Sequence, residues 1–155
     1  MNFVIRTEKK KEELLYILKN NVQERQNTWI QKITTENQKY FNGSVEDDGS
    51  FKISRTIRYN NSFLPIIDGN IVDDGNSSVI NISMHYHPFV LAFMAFWFIG
   101  VLIGCIVMPF QKLDRELFVF RFVPYFMLGA GVLLVFLPYK IETNIAKNKL
   151  IELLK

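Results

Sequence analysis

Two long apolar stretches dominate the pattern of hydrophobic and polar positions along the chain. The first runs from Pro88 to Phe110 without a charged residue, and the second runs from Leu117 to Tyr139 with one charge, Arg121, near its start. An α-helix needs about 20 apolar residues to cross a hydrocarbon layer of roughly 30 Å. Both stretches reach that length, so the pattern predicts a two-helix transmembrane hairpin over residues 88–139, with spans at 88–110 and 117–139. The lipid bilayer is the first expected partner.

Upstream of the hairpin, the pattern is that of a small α+β domain. Residues 2–6 alternate weakly, as in a short strand. Thr7 is a good helix N-cap, and apolar residues then recur at helical spacing, which predicts a helix from Glu8 to Arg25. A polar connection follows over residues 27–39, in which Trp29 is a candidate for contact with the lipid surface.

Beyond residue 39 the apolar positions alternate, which is typical of strands. The segment Asp47–Gly49 fits a three-residue hairpin loop, with glycine where a left-handed backbone is needed. This loop places Val45 opposite Phe51, and Phe41 opposite Arg55.

The register of the next strand pair depends on which residues form the turn. A two-residue loop at Asn61-Ser62 places Arg55 directly opposite Asp68 on an otherwise apolar face, where an ion pair across the strands is favourable. A loop at Asn60-Asn61 removes that pairing. We expect the first register, and with it a cross-strand ion pair between Arg55 and Asp68.

The predicted fold class is an α+β membrane protein in three parts. A turn at residues 73–76 completes an antiparallel meander of four strands, so that residues 1–87 form a small cytoplasmic sheet with one helix. The hairpin at 88–139 follows. Residues 140–155 form a short amphipathic helix that returns to the side of the sheet and can pack on it. Its apolar positions are Ile141, Ile145, Leu150, Ile151 and Leu154.

Charge sets the expected orientation and excludes one class of partner. Residues 1–87 carry eleven Lys and Arg and eleven Asp and Glu, so they lack the concentrated basic face of a nucleic-acid-binding protein. The tail after the second span carries four lysines against three cations in and near the short connecting loop, which favours a cytoplasmic tail. The N-terminal residues are too polar for a signal peptide. We therefore expect an inner-membrane protein with both termini in the cytoplasm.

Small residues in both spans predict close helix packing. Gly100 and Gly104 form a G-x-x-x-G pair in the first span, and Gly129 and Gly131 lie near the middle of the second. Such residues let helix backbones approach closely in lipid. Packing within the hairpin is the favoured interpretation, and a homo-oligomer interface is the alternative.

Candidate chemistry is sparse. His85 and His87 are two residues apart on a predicted strand, a spacing that can bind a metal, but a catalytic zinc site needs a third protein ligand. The alternative interpretation is that both are polar residues at the rim of a span. The single cysteine, Cys105, lies in a span and has no disulfide partner. No catalytic motif stands out, so neither an enzyme nor a cofactor is expected.

The segment Ile53–Ile71, with Ser83–Val90 after it, resembles a group of small bacterial membrane proteins of unknown function. The resemblance implies the same order of parts and no activity. We expect a non-enzymatic, membrane-anchored interaction module that binds a protein partner through its sheet and has a hairpin able to oligomerise. The alternatives are an immunity-type protein that neutralises a membrane-acting toxin, and a small metal-dependent enzyme using His85 and His87.

Overall fold

The computed structural model describes residues 1–24, 39–59, 61–75, 77–111 and 115–155. The predicted polar connection with Trp29 lies outside the described residues, apart from its last position. Within those ranges the chain is α+β, with a six-stranded mixed sheet and three α-helices. The strands are β1 (Asn2–Thr7), β2 (Val22–Glu24), β3 (Phe41–Val45), β4 (Ser50–Arg55), β5 (Ile66–Asp73) and β6 (Ser78–His85). The helices are α1 (Lys11–Asn21), α2 (Pro88–Val107) and α3 (Val123–Leu154).

The sheet extends the predicted meander by one strand at each edge. Its order is β1-β6-β5-β4-β3-β2, and β3 to β6 pair antiparallel in sequence. The predicted strand at the N-terminus is confirmed, because β1 pairs antiparallel with β6. The short β2 pairs parallel with β3, which makes the sheet mixed. Its first residue, Val22, was assigned from sequence to the helix, which instead ends at Asn21.

The predicted hairpin between β3 and β4 is confirmed. Val45 lies opposite Phe51, and Phe41 lies opposite Arg55. Gly49 has a φ of 101°, a backbone conformation in which a side chain would be strained. The three-residue loop with glycine at its last position therefore determines this register.

The predicted register between β4 and β5 is wrong. Asp68 lies opposite Lys52, three residues earlier along β4 than Arg55. A ten-residue connection over positions 56–65 replaces the expected tight turn. Shifting a strand by an odd number of residues reverses which side chains face inward. Here the shift buries Ile67 and Ile71 and places the carboxylate of Asp68 on the other face.

Helix α1 begins later than predicted. Thr7 is the last residue of β1, and Lys10 occupies the N-cap without a side-chain hydrogen bond. The helix presents Leu14 and Leu18 to the sheet, where both are fully buried.

The third helix is longer than predicted and carries the tail onto the sheet. Helix α3 runs without a break through Pro138, so the C-terminal amphipathic segment is not a separate element. Ala146, Leu150 and Leu154 are fully buried in the core with α1 and one face of the sheet. Ile141 and Ile145, expected on the same face as Leu150, are exposed. The core side of the sheet is thus covered by α1 and the end of α3.

The two apolar stretches form an antiparallel pair of helices that extends away from the sheet. The hydroxyl of Tyr125 donates to the Cys105 carbonyl oxygen over 2.8 Å, which ties the far parts of α2 and α3 together. The second stretch begins as a 3-10 helix, Arg115–Phe122, and becomes α-helical only at Val123. Both helices are long and apolar enough to cross a membrane.

Candidate functional site

A buried carboxylate joins the end of the second apolar helix to the sheet. Glu142 lies on α3, three residues beyond Tyr139, and its side chain is 3% exposed. Oε2 accepts hydrogen bonds from Nε and Nη2 of Arg55, at 2.8 and 2.6 Å. Oε1 accepts from the hydroxyl of Tyr59 and from Nδ2 of Asn61, the latter at 3.3 Å. The carboxylate is therefore satisfied on both oxygens, as a buried charge must be.

Arg55 pairs with this helix and not with the neighbouring strand. The predicted cross-strand pair with Asp68 does not form, because Arg55 points into the core face and Asp68 to the opposite face. Burial, the largest single effect, lowers the pKa of Arg55, but the hydrogen bond to Glu142 and the attraction to its negative charge act together and raise that pKa above its usual value. The hydrogen bond to Glu142 also raises the pKa of Tyr59. Both shifts favour the protonated side chains, so that Arg55 is charged and the Tyr59 hydroxyl keeps the proton that it donates.

Sequence reasoning missed Glu142. Its signal was present, since Glu142, Ala146, Leu150 and Leu154 follow one another at intervals of four, and residues so spaced share a helix face. That interval places an acidic residue on the buried face, where a cation must meet it. The cation, Arg55, is 87 residues away along the chain, so no local pattern identifies it.

Two stacked tyrosines fix the other side of the same junction. The rings of Tyr86 and Tyr139 are 3.8 Å apart between centroids and inclined by 21°. The hydroxyl of Tyr139 donates to the Met84 carbonyl oxygen over 2.9 Å. The start of α2 and the sheet-proximal part of α3 are thus held against the end of β6.

The face of the sheet opposite the core is open and polar. Its exposed or half-buried side chains come from β1 and β3 to β6. They are Asn2, Val4, Arg6, Asn42, Ser44, Ser50, Lys52, Ser54, Ile66, Asp68, Asn70, Val72, Val79, Asn81, Ser83 and His85. We call this set the open face. Among the described residues, the first turn of α2 and the connection between β4 and β5 approach it.

His85 lies on the open face beside Asp68, which also pairs with Lys52. Its Nε2 is 2.6 Å from Oδ2 of Asp68, and its Nδ1 is 3.0 Å from the Tyr86 carbonyl oxygen. Both partners are acceptors, so the imidazolium form of the ring, in which both nitrogens donate, satisfies both contacts. The hydrogen bond to Asp68, followed by that to Tyr86, raises the pKa of His85. A doubly protonated ring has no lone pair for a metal.

His87 does not join His85 in a site. It is the N-cap of α2, and its Nδ1 accepts a hydrogen bond of 3.2 Å from the Phe89 backbone N–H. The expectation that both histidines lie on one strand is wrong, because β6 ends at His85. In the part of the chain that the structure describes, no three His, Cys, Asp or Glu side chains come together in a group able to hold a metal ion.

The His85–Asp68 pair should be visible as a pH effect. A raised native pKa means that the pair adds stability fully below the unfolded-state value of about 6.5 and loses it as the pH rises through the native pKa. Both side chains are partly exposed, so the effect should stay below about 1 kcal/mol. An NMR titration of the His85 ring should show its pKa falling in Asp68→Asn and rising slightly in Lys52→Gln, since Lys52 opposes protonation. An unchanged pKa in Asp68→Asn would contradict the contact.

The four predicted packing glycines divide into two groups. At Gly131 an added Cβ would lie 2.3 Å from the Trp97 ring, and at Gly104 it would meet Pro124 at 3.5 Å. At Gly100 and Gly129 it would meet nothing within 4 Å. Gly131 and, less tightly, Gly104 therefore pack within the hairpin. Gly100 instead borders an apolar groove of about 330 Å³ beside Trp97.

We expect Gly131→Leu to disrupt the helix pair and Gly129→Leu to leave it intact. The first side chain would enter the space of the Trp97 ring, and overpacking of this kind costs about 1–3 kcal/mol. The two positions are two residues apart in the same helix, so the two substitutions add the same side chain at nearly the same height along the helix and change helix propensity equally. Trp97 fluorescence and thermal unfolding in detergent would report the difference. Equal effects in the two variants would rule out Gly131 as the contact.

A cavity of about 660 Å³ lies where the open face meets the start of α2. Strands β3 and β4 and the beginning of β5 line one side of it. The connection between β4 and β5 and the first turn of α2 line the other. Its polar lining consists of Asn42, Ser44, Lys52, Ser54, Ser62 and His87. No sequence pattern pointed to this cavity, because its walls come from four separate segments.

Fold and junction together define an α+β protein in which a sheet is joined to a pair of apolar helices by a buried carboxylate and a shared core. Comparison with protein-family models, with curated proteins and with solved structures finds no match. The resemblance to small bacterial membrane proteins therefore stays a prediction, and function has to be argued from this chain alone.

Proposed function

We propose that this chain is an integral membrane protein that holds a non-enzymatic interaction module against the cytoplasmic surface of the inner membrane. The observation that carries the proposal is the exposure of the apolar helices. In the most apolar part of each, 11% of the residues are buried. Side chains such as Phe96, Phe126 and Phe136 are 65–79% exposed. Core helices of a soluble protein would be covered, and an apolar surface of this extent along two helices of spanning length is what lipid covers.

The ends of the helix pair fit a bilayer. The 20 residues of α2 give a length of about 30 Å, which matches a hydrocarbon layer. Tyr86 and Tyr139 lie at the sheet end, where aromatic side chains with a polar tip suit the interface. At the far end, Nη2 of Arg121 donates to the Gln111 carbonyl oxygen over 3.1 Å. Polar groups therefore mark both ends of an otherwise apolar surface.

The open face is the surface that we assign to a protein partner. Serine and asparagine side chains there offer donors and acceptors, and Val4 and Val72 add apolar contacts at 54% and 44% exposure. The sheet is joined to the helices by the shared core and by Glu142 with its partners Arg55, Tyr59 and Asn61, which we call the Glu142 cluster. A module fixed in this way presents one face in a constant orientation to a partner at the membrane.

Membrane insertion is tested by extraction. We expect the chain to stay with membranes in alkaline carbonate and to leave them only in detergent. A reporter that works only in the cytoplasm should be active when it is fused after Lys155. A reporter that works only outside the cytoplasm should be inactive at the same position. Release by carbonate as a monodisperse protein would overturn the proposal, and an active external reporter would reverse the orientation.

The interaction role is tested by photo-crosslinking in native membranes. A crosslinking residue at Asn81, on the open face, should give a discrete adduct. The matched position is Tyr16 on α1, which is 70% exposed on the opposite side of the sheet. Equal adducts from both positions, or none from Asn81, would contradict a partner on the open face.

A further inference from the structure

We propose that the cavity between the open face and the start of α2 binds the headgroup of an anionic phospholipid. The inference rests on the membrane insertion proposed above and adds a specific ligand to it. It is carried by the depth of the cavity, the charge of its lining and the change from polar to apolar walls.

In the proposed membrane orientation, the cavity lies at the level of the lipid headgroups. Val90, the third residue of α2, lines it together with Pro88 and His87. The cavity therefore opens where the apolar helix begins, at the level of the Tyr86–Tyr139 stack. A phospholipid of the adjoining leaflet has its phosphate at this level, so its headgroup reaches the cavity without leaving the bilayer.

The charge of the cavity favours an anion. Lys52 and His87 are the ionisable residues in its described lining, which contains no carboxylate. The ammonium of Lys52 is 3.8 Å from Oδ1 of Asp68, whose other oxygen already holds His85 at 2.6 Å. Asp68 is thus shared between Lys52 and His85, and the Lys52 ammonium, whose side chain is 64% exposed, remains free to meet an anion at the cavity wall. Hydrogen bonds from a charged donor to phosphate are among the stronger ones in proteins.

The walls change from polar to apolar in the direction that a lipid requires. The hydroxyls of Ser44 and Ser62 can donate to phosphate oxygens, and that of Ser54 can do so in place of its 3.5 Å contact with the Asn42 carbonyl oxygen. The side chain of Asn42 adds a further polar group to this wall. On the helix side, Leu64 and Val90 offer apolar contact to the glycerol and the first methylene groups. A volume of about 660 Å³ suits such a fragment.

The test measures binding of soluble lipids to the purified full chain in non-ionic detergent. The probes are dioctanoyl phosphatidylglycerol, dioctanoyl phosphatidylcholine and inorganic phosphate, followed by native mass spectrometry and calorimetry. We expect one saturable site for phosphatidylglycerol, weaker binding of phosphatidylcholine and no saturable binding of phosphate alone. Lys52→Gln should weaken phosphatidylglycerol binding about tenfold, as loss of one charged hydrogen bond does.

Two further variants make the test specific. Arg6→Gln removes a cation from the same face but at the far edge strand, and it should leave binding unchanged. Ser54→Phe fills the cavity without altering charge, and it should weaken binding as Lys52→Gln does. Equal loss in Arg6→Gln, or no loss in either cavity variant, would overturn the site. Phosphate binding as tightly as the lipid would show a site for a free anion instead.

Failure of this inference is separable from failure of membrane insertion. Insertion is scored by carbonate extraction, which none of the three variants should change. An inserted chain that binds no phosphatidylglycerol would sink the lipid site alone. A chain that is never inserted would remove both proposals.

Discussion

Glu142→Ala is expected to destabilise the sheet by about 3–5 kcal/mol, because it leaves the guanidinium of Arg55 buried without its partner. Arg55 is 14% exposed and directs two of its nitrogens at the lost carboxylate. Tyr59 and Asn61 lose an acceptor in the same step. Urea unfolding in detergent micelles, followed by circular dichroism, should show the transition of the sheet moving to lower denaturant concentration.

Glu152→Ala is the matched control for this variant. Glu152 lies on the same helix and also accepts from a cation, Lys149, at 2.7 Å, but its side chain is 67% exposed. Exposed pairs of this spacing contribute less than about 1 kcal/mol. The double variant Arg55→Met with Glu142→Leu should recover much of the loss, because an apolar pair of similar volume needs no desolvated charge. A loss in Glu142→Ala no larger than in Glu152→Ala would show that the cluster does not hold the helix to the sheet.

The Glu142 cluster couples the orientation of the apolar helices to that of the sheet. It lies between the apolar part of α3 and the segment buried on the sheet, and its partners come from β4 and the connection after it. A tilt or rotation of α3 would have to break these hydrogen bonds or carry β4 along. The open face therefore follows the orientation of the apolar helices, as the proposed role at a membrane requires.

The parts of the fold that depend on local patterns could be predicted from the sequence. The two apolar helices follow from uninterrupted hydrophobic stretches. The β3–β4 register follows from a loop in which Gly49 adopts the left-handed backbone. The strand at β1 was visible as weak alternation. In each case the deciding residues lie within a few positions of one another.

The remaining parts depend on contacts between distant segments. The β4–β5 register failed because a ten-residue connection, unlike a tight turn, leaves the pairing to be decided by which side chains the core accepts. Ile67 and Ile71 enter the core, and Asp68 is directed outward. Arg55 then needs another anion, and the structure supplies Glu142 from the tail. One wrong turn assignment thus produced both the wrong register and the wrong ion pair.

The packing face of the C-terminal segment is another place where sequence and structure disagree, and it is open to a direct test. Leu150→Ala should cost about 2–5 kcal/mol, the range for a fully buried leucine that leaves a cavity. Leu150 is 0% exposed and packs in the core that α1 and the sheet share. Hydrogen exchange measured by mass spectrometry should show faster exchange in β4, β5 and the end of α3.

Ile141→Ala is the control that separates the two assignments of this face. The sequence placed Ile141 and Leu150 on the same apolar side, whereas Ile141 is 57% exposed in the structure. Removing its side chain takes nothing from the core, so the change in stability should stay within about 0.5 kcal/mol. Comparable losses at both positions would restore the predicted face and would detach the end of α3 from the arrangement that buries Glu142. A loss confined to Leu150 would fix the rotation of α3 about its axis, and with it the side from which Glu142 meets Arg55.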